Sequence, residues 1–254
     1  MLKKYFLFFA AGLIMLASCS DDKTTNNTKT GMYYSTEAGV GSGKAKSFVN
    51  LDASGNPESV GLIFNEAALT GLPVLMKEYT FIMPVEAAAT NVNHVTIDWN
   101  PMGHEPPGIY DLPHFDFHFY FVDEAYRMTI TGVGDDTLKM TKPPGADYLA
   151  PNYMLGPQGV PMMGNHAIDV TSPELNGQTF TETFIYGYYD GKMIFYEPMM
   201  TIAYLQTKPS LSKAIKVPLK YPKTGYYPTT LNISFNTTTK EYTIKLGGMV
   251  KYTA

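Results

Sequence analysis

Pro113-His114-Phe115-Asp116-Phe117-His118-Phe119-Tyr120-Phe121 is the stretch from which the fold is read. Phenylalanine recurs at every second position, with polar residues and tyrosine in between. On a β-strand successive side chains point to opposite faces. His114, Asp116, His118 and Tyr120 therefore share one face, and Phe115, Phe117, Phe119 and Phe121 share the other. The phenylalanine face is a core face. The other face is polar and chemically able.

Working outward, the same grammar recurs. Tyr79 to Val85 and His94 to Trp99 are apolar enough for strands. Earlier, Lys46 to Leu51 alternates, Asp52 to Pro57 carries turn residues, and Ser59 to Phe64 resumes as a strand. Asn65 to Gly71 holds a single helical turn, stopped by Gly71 and Pro73. Beyond the central stretch, Pro143 to Gly164 reads as a turn-rich connector. Phe180–Tyr188 and Lys192–Tyr196 read as strands joined through Asp190-Gly191, a dipeptide favoured in tight hairpins. Thr201–Leu205 is expected to continue the sheet. Leu231–Phe235 and Lys240–Leu246 form a last hairpin around Asn236 to Thr239. No fixed-period repeat is present. The expectation is one all-β domain over residues 31–254, a sandwich or barrel with long turn-rich connectors.

Composition agrees. Charged residues make up 17% and aromatics 13%, with 19 Tyr, 14 Phe, 22 Gly and 18 Pro. That mixture favours short strands and many turns over helices. A net charge of −4 without a Lys/Arg cluster beyond Lys3-Lys4 argues against a nucleic-acid partner.

The N-terminus carries a different message. Lys3-Lys4 precede an uncharged apolar run from Tyr5 to Leu16. It is shorter than the roughly 20 residues of a membrane-spanning helix, and reads as a secretory signal peptide over residues 1–18. Leu16-Ala17-Ser18-Cys19 resembles the lipobox of bacterial lipoproteins, which implies cleavage before Cys19 and acylation of it. Cys19 is the only cysteine of the chain, so it has no intramolecular disulfide partner in an oxidising compartment. Residues 19–30, rich in Thr, Asn and Asp, are expected to form a flexible tether. Ser20-Asp21-Asp22 resembles the surface-export signal of Bacteroidetes lipoproteins. The expected location is the outer membrane, facing the periplasm or the cell surface, with the membrane as partner through the lipid.

The chain has five histidines, and three lie between residues 104 and 118. Same-face neighbours on a strand sit about 6.5–7 Å apart. Asp116 with His118, or His114 with Asp116, can meet on one ion with bonds of about 2.0–2.2 Å. His114 and His118 together cannot, unless the strand bends near Pro113. A complete site therefore needs donors from elsewhere, and the sequence offers His104 or Glu105, His166 and Glu197. Histidines with a carboxylate suit zinc first, with iron, manganese or copper as alternatives. Met162-Met163 and Met199-Met200 beside His166 and Glu197 extend the copper reading, although methionine also fills gaps in cores. Asp116, if not a ligand, can orient a ligating imidazole. Glu105, Asp116 and Tyr120 are candidate acid/base or supporting groups.

Bland readings stand beside these. A buried histidine next to an aspartate is often a satisfied polar pair. Glu105-Pro106 and Glu197-Pro198 also suit turns. His94 reads as structural; Asp98 can serve the site or cap a turn, and the structural reading is preferred. Gly39 to Lys44 lacks the spacing of a phosphate loop, and no GxSxG elbow occurs.

Several blocks together, Gly61-Leu62-Ile63-Phe64 with Glu66 to Pro73, Trp99-Asn100-Pro101-Met102-Gly103-His104-Glu105-Pro106, Pro113 to Tyr120, and Met163 through Glu197-Pro198-Met199, resemble a family of exported bacterial and archaeal proteins classed as a domain of unknown function. The resemblance covers nearly all of the chain after the signal. It implies one site built from His104, His114, His118, His166 and Glu197, and a ring-forming homo-oligomer, but no reaction. An aromatic residue follows the equivalent of His166 in that family, where this chain has Ala167. Three functions compete on this reading. They are a cell-envelope lipoprotein that binds a transition metal, a metal-dependent hydrolase or oxidoreductase with an open coordination position, and a structural or ligand-binding β-module without metal.

Overall fold

A computed structural model describes residue 1 and residues 29–254. The expected signal peptide beyond Met1, Cys19, and the tether up to residue 28 lie outside the described residues. Among the described residues, no helix is long and apolar enough to cross a membrane.

Seven strands precede the first helices: β1 (Gly31–Tyr34), β2 (Ala38–Val40), β3 (Gly43–Leu51), β4 (Pro57–Asn65), β5 (Lys77–Ile82), β6 (His94–Asn100) and β7 (His114–Tyr120). Two short helices follow, α1 (Glu124–Arg127) and α2 (Asp136–Thr141). Then come β8 (Tyr153–Val160), β9 (Gly164–Asp169), β10 (Glu182–Tyr189), β11 (Lys192–Thr201), α3 (Ile202–Gln206) and β12 (Leu211–Ala214). The chain closes with β13 (Gly225–Tyr227), β14 (Thr230–Asn236), β15 (Glu241–Gly247) and β16 (Val250–Tyr252).

Two antiparallel sheets of seven strands carry the fold. The first runs β1-β3-β4-β15-β14-β12, with β2 added to β3, and the second runs β5-β6-β7-β11-β10-β9-β8. A third, small sheet pairs β13 with β16. Both large sheets are open, so the architecture is sandwich-like and the barrel alternative does not apply. The Phe face of β7 meets the first sheet: Phe115, Phe117 and Phe119 share one buried cluster with Leu62, Phe64, Ile244 and Leu246. Phe64 and Phe117 stack across the gap, with ring centroids 5.9 Å apart. The opposite face of β7 is buried as well, because β7 lies inside its sheet and all seven of its residues are covered. Two smaller apolar clusters flank that face. One contains Tyr120, Ile130, Tyr189 and Phe195, and the other Tyr110, Phe180, Ile185 and Met199.

The structure departs from the sequence reading in definite places. Thr201–Leu205 does not continue the sheet. Thr201 ends β11 and its side chain accepts from the Tyr204 backbone N–H at 3.1 Å, which starts α3 instead. The connector Pro143–Gly164 contains β8, an edge strand whose Gly156, Pro157 and Gly159 hid it; its register against β9 slips between Leu155 and Gly159. The strand expected to reach Val85 stops at Ile82, and Val85–Thr90 forms a 3-10 turn after Pro84. The Asp190-Gly191 hairpin forms as expected, both residues having positive φ of 50° and 73°.

Gly187 on β10 matters for the polar face. A Cβ there would lie 2.0–2.3 Å from the Phe195 ring, which lies across it. Gly187→Ala is expected to push that ring aside and lower stability by about 1–3 kcal/mol through overpacking. A thermal melt indistinguishable from that of the unaltered chain would show that the ring moves freely.

Candidate metal centre

Antiparallel register, rather than proximity in sequence, assembles the polar face. Opposite His118 on β6 stands Thr96, and opposite Asp116 stands Asp98. On the other side, Tyr196 pairs with Phe119 and Met199 with Asp116, which sets Glu197 level with His118. One strand further on, Ile185 pairs with Glu197, Gly187 with Phe195, and Gly187 with His166. Residues 104, 116, 118, 166 and 197, spread over almost a hundred positions, thereby gather on one patch.

They gather as two groups rather than one. In each, one donor atom from each of three residues lies within 4.8 Å of the others: His118, His166 and Glu197 in the first, and His104, His114 and Asp116 in the second. Asp116 is thus placed among candidate ligands, beside His114 and not beside His118. Glu105 belongs to neither group. It is exposed, and its backbone carbonyl receives His104 Nδ1 at 2.7 Å. Tyr120 belongs to neither group. Its ring stacks on His118 at 5.4 Å and on His94 at 4.8 Å, with the Arg127 guanidinium 5.0 Å away. Burial holds the Tyr120 hydroxyl well above its ordinary pKa.

In the first group, His118 Nδ1 lies 2.8 Å from the Asp98 carboxylate, close enough to donate its N–H. In the neutral imidazole that a metal ion requires, the proton would sit on Nδ1 and the Nε2 lone pair would be directed inward. His118 Nε2 and His166 Nε2 each stand 3.4 Å from Glu197, one at each oxygen. His118 Nε2 and Glu197 Oε2 are buried without a hydrogen-bond partner. Phe195 walls the group, with ring centroids 4.8 Å from His118 and 5.3 Å from His166. For Asp98 the sequence left a place at the site and a turn cap both open, with the structural role preferred. Its even position in the alternating strand His94–Trp99 was the available signal, but the register that brings it to His118 was not.

Burial sets the electrostatics of the group. Burial pushes the Glu197 carboxyl up to about 8, with the Asp116 carboxylate adding to the push. Burial also pushes Asp98 upward. For His118, burial opposes charging but is outweighed by Glu197 and Asp98, which draw its pKa up to about 9. Partial burial lowers the pKa of His166, helped by positive charge on His118 and His104, which favours a neutral imidazole with an available lone pair. His94 is likewise driven down to about 4 by burial and by Arg127; with Nδ1 on Asn93 Oδ1 at 3.1 Å, it fits a structural role.

Residues 52–99 match the model of the TTHB210-like family, described as hypothetical protein TTHB210. The match runs from the turn before β4 to Trp99 in β6 and includes Asp98. Over that stretch the chain is similar to an uncharacterised family. No curated protein and no solved structure matches the chain.

Proposed function

We propose that this chain is a cell-envelope lipoprotein that binds a transition-metal ion, zinc first, through His118, His166 and Glu197. One observation carries the reading. The His118 and His166 nitrogens stand 3.4 Å from the Glu197 oxygens, longer than a charge-assisted hydrogen bond of about 2.7–2.9 Å. An ion bound at about 2.0–2.2 Å by one atom from each residue would sit between donors that already lie within 4.8 Å of one another. The buried atoms left without partners, His118 Nε2 and Glu197 Oε2, are the atoms such an ion would engage. The lipid anchor rests on Cys19 and the lipobox-like residues before it.

Three protein donors, rather than four, favour a second reading as a metal-dependent enzyme. A zinc ion held by three residues keeps a position for water, whose pKa it lowers toward 7. His166, with 22% of its side chain exposed, marks the open side.

Substitution with Co(II) tests the reading. The stripped protein is expected to bind cobalt with the intense visible absorption of a four-coordinate site, and zinc is expected to bleach it. Weak, six-coordinate absorption that zinc leaves unchanged would rule out this centre. Asp98→Asn is expected to weaken zinc binding about 10–100-fold, since the carboxylate fixes the His118 tautomer. Competition against a chromophoric chelator reads that change, and equal affinities would remove Asp98 from the support of the site.

A further inference from the structure

The second group sits one step along the same face of β7 and shares no residue with the first. His114 and Asp116 come from β7, and His104 comes from the segment 101–113 that links β6 to β7. Its geometry is set independently. His114 Nδ1 lies 2.6 Å from the Leu112 carbonyl and His104 Nδ1 lies 2.7 Å from the Glu105 carbonyl. Both Nδ1 atoms therefore carry the proton they donate, and both Nε2 atoms aim at Asp116. They stand 3.1 Å (His114) and 3.4 Å (His104) from its two oxygens. Asn100 Nδ2 donates to Asp116 Oδ2 at 2.7 Å and fixes the carboxylate. His114 Nε2 and Asp116 Oδ1 are fully buried and have no hydrogen-bond partner.

We propose that His104, His114 and Asp116 form a second, separate site for a divalent transition-metal ion, and that this ion pins the 101–113 segment onto β7. The inference extends the metal reading of the first group without depending on its ligands. Two imidazole nitrogens and a carboxylate are a borderline-soft donor set that suits zinc and its first-row neighbours, not calcium or magnesium. The ion would be the only covalent-strength link between a loop side chain and the strand. Around His104 the segment is closed on itself, with His104 N–H donating to Tyr110 O at 3.1 Å and Ile109 N–H to Pro106 O at 3.2 Å, while at its end the Pro113 carbonyl accepts from Ile202 N–H at 3.0 Å. Its one buried anchor is Tyr110, whose hydroxyl reaches Glu174 at 3.3 Å. His104 is the exposed member of the set, with 37% of its side chain open, so the ion would exchange from that side.

The test uses the full-length chain, stripped with a chelator, in three forms: unaltered, His104→Ala and His118→Ala. Each is dialysed against zinc and its bound metal measured, and hydrogen exchange of the 101–113 amides is followed with and without zinc. The unaltered chain is expected to bind two ions and each variant one. At free zinc about 100 times the dissociation constant, opening of the 101–113 segment is expected to slow about 100-fold. That protection should persist in His118→Ala and vanish in His104→Ala. One ion in the unaltered chain, lost in His118→Ala and kept in His104→Ala, would overturn the second site and leave the first standing. No ion in any form would overturn both. Because His104 is exposed on a loop, its truncation leaves the core intact, and a lost ion in that variant reports the site.

Discussion

The His118→Ala protein is expected to lose the ion bound at the first centre, a larger effect than the 10–100-fold expected for residues that only support a ligand. The substitution removes the one donor that Asp98 orients at 2.8 Å, leaving His166 and Glu197, too few to hold a zinc ion against water. It also strips two buried carboxylates of their shared partner. Burial already pushes Asp98 and Glu197 upward, so both are expected to take up protons once the imidazole is gone. Leaving a buried charge without its partner costs about 3–5 kcal/mol, and part of this is relieved by that protonation. A control is therefore needed in which the shape survives. Glu197→Gln keeps the volume and removes the anionic donor, and it too is expected to lose the ion. Circular dichroism establishes the fold of both variants and elemental analysis their metal content. Two folded variants that retain the metal of the unaltered chain would take His118 and Glu197 out of the ligand set.

The second large effect belongs to the other face of the same strand. Phe117→Ala is expected to destabilise the protein by about 3–5 kcal/mol, combining lost transfer energy with the cavity left behind. Phe117 is 1% exposed and stacks on Phe64 of the opposing sheet. Its other ring neighbour is Phe115, with centroids 6.1 Å apart. The site has little freedom to collapse, because rings from both sheets already interlock around it. For a chain of this length each kcal/mol moves the melting temperature by about 2–4 °C, so a fall of about 6–20 °C is expected. Urea or thermal unfolding measures it. A negligible shift would mean that the phenylalanine face of β7 is not where the two sheets meet.

That separation of faces was fully legible in the sequence, and for a simple reason. A strict period of two between Phe and His/Asp over His114 to Phe121 admits one conformation, and a strand buried on both sides must set the two chemistries apart. Strands 43–51, 57–65 and the last hairpin were legible on the same grounds. What the alternation does not encode is which strand lies beside which. The grouping of His166 with Glu197 depends on β9, β10 and β11 lying side by side, and the role of Asp98 depends on its strand pairing with β7. The single five-residue site implied by the resemblance becomes two three-residue groups, because the Asp116 carboxylate lies against His114 and His104 while His118 lies against Asp98 and Glu197. Local misreadings have local causes. Apolar Thr201-Ile202-Ala203-Tyr204-Leu205 suits a strand by composition, but the Thr201 cap starts a helix. Tyr153–Val160 holds two glycines and a proline, which suit an edge strand with a register slip as readily as a loop.

The buried face of β7 therefore carries chemistry that burial alone does not favour. Four imidazoles and three carboxylates in one patch need compensating charge, from protons or from a metal. The direct measurement is elemental analysis of the purified, tag-free protein, prepared without added metal and then repeated after dialysis against zinc. The expected result is a bound first-row transition metal, zinc foremost, with the ion of the His118, His166 and Glu197 group missing from His118→Ala. A folded protein that is free of metal and refuses zinc would contradict the account, and would make the histidine and carboxylate face a proton-balanced polar network.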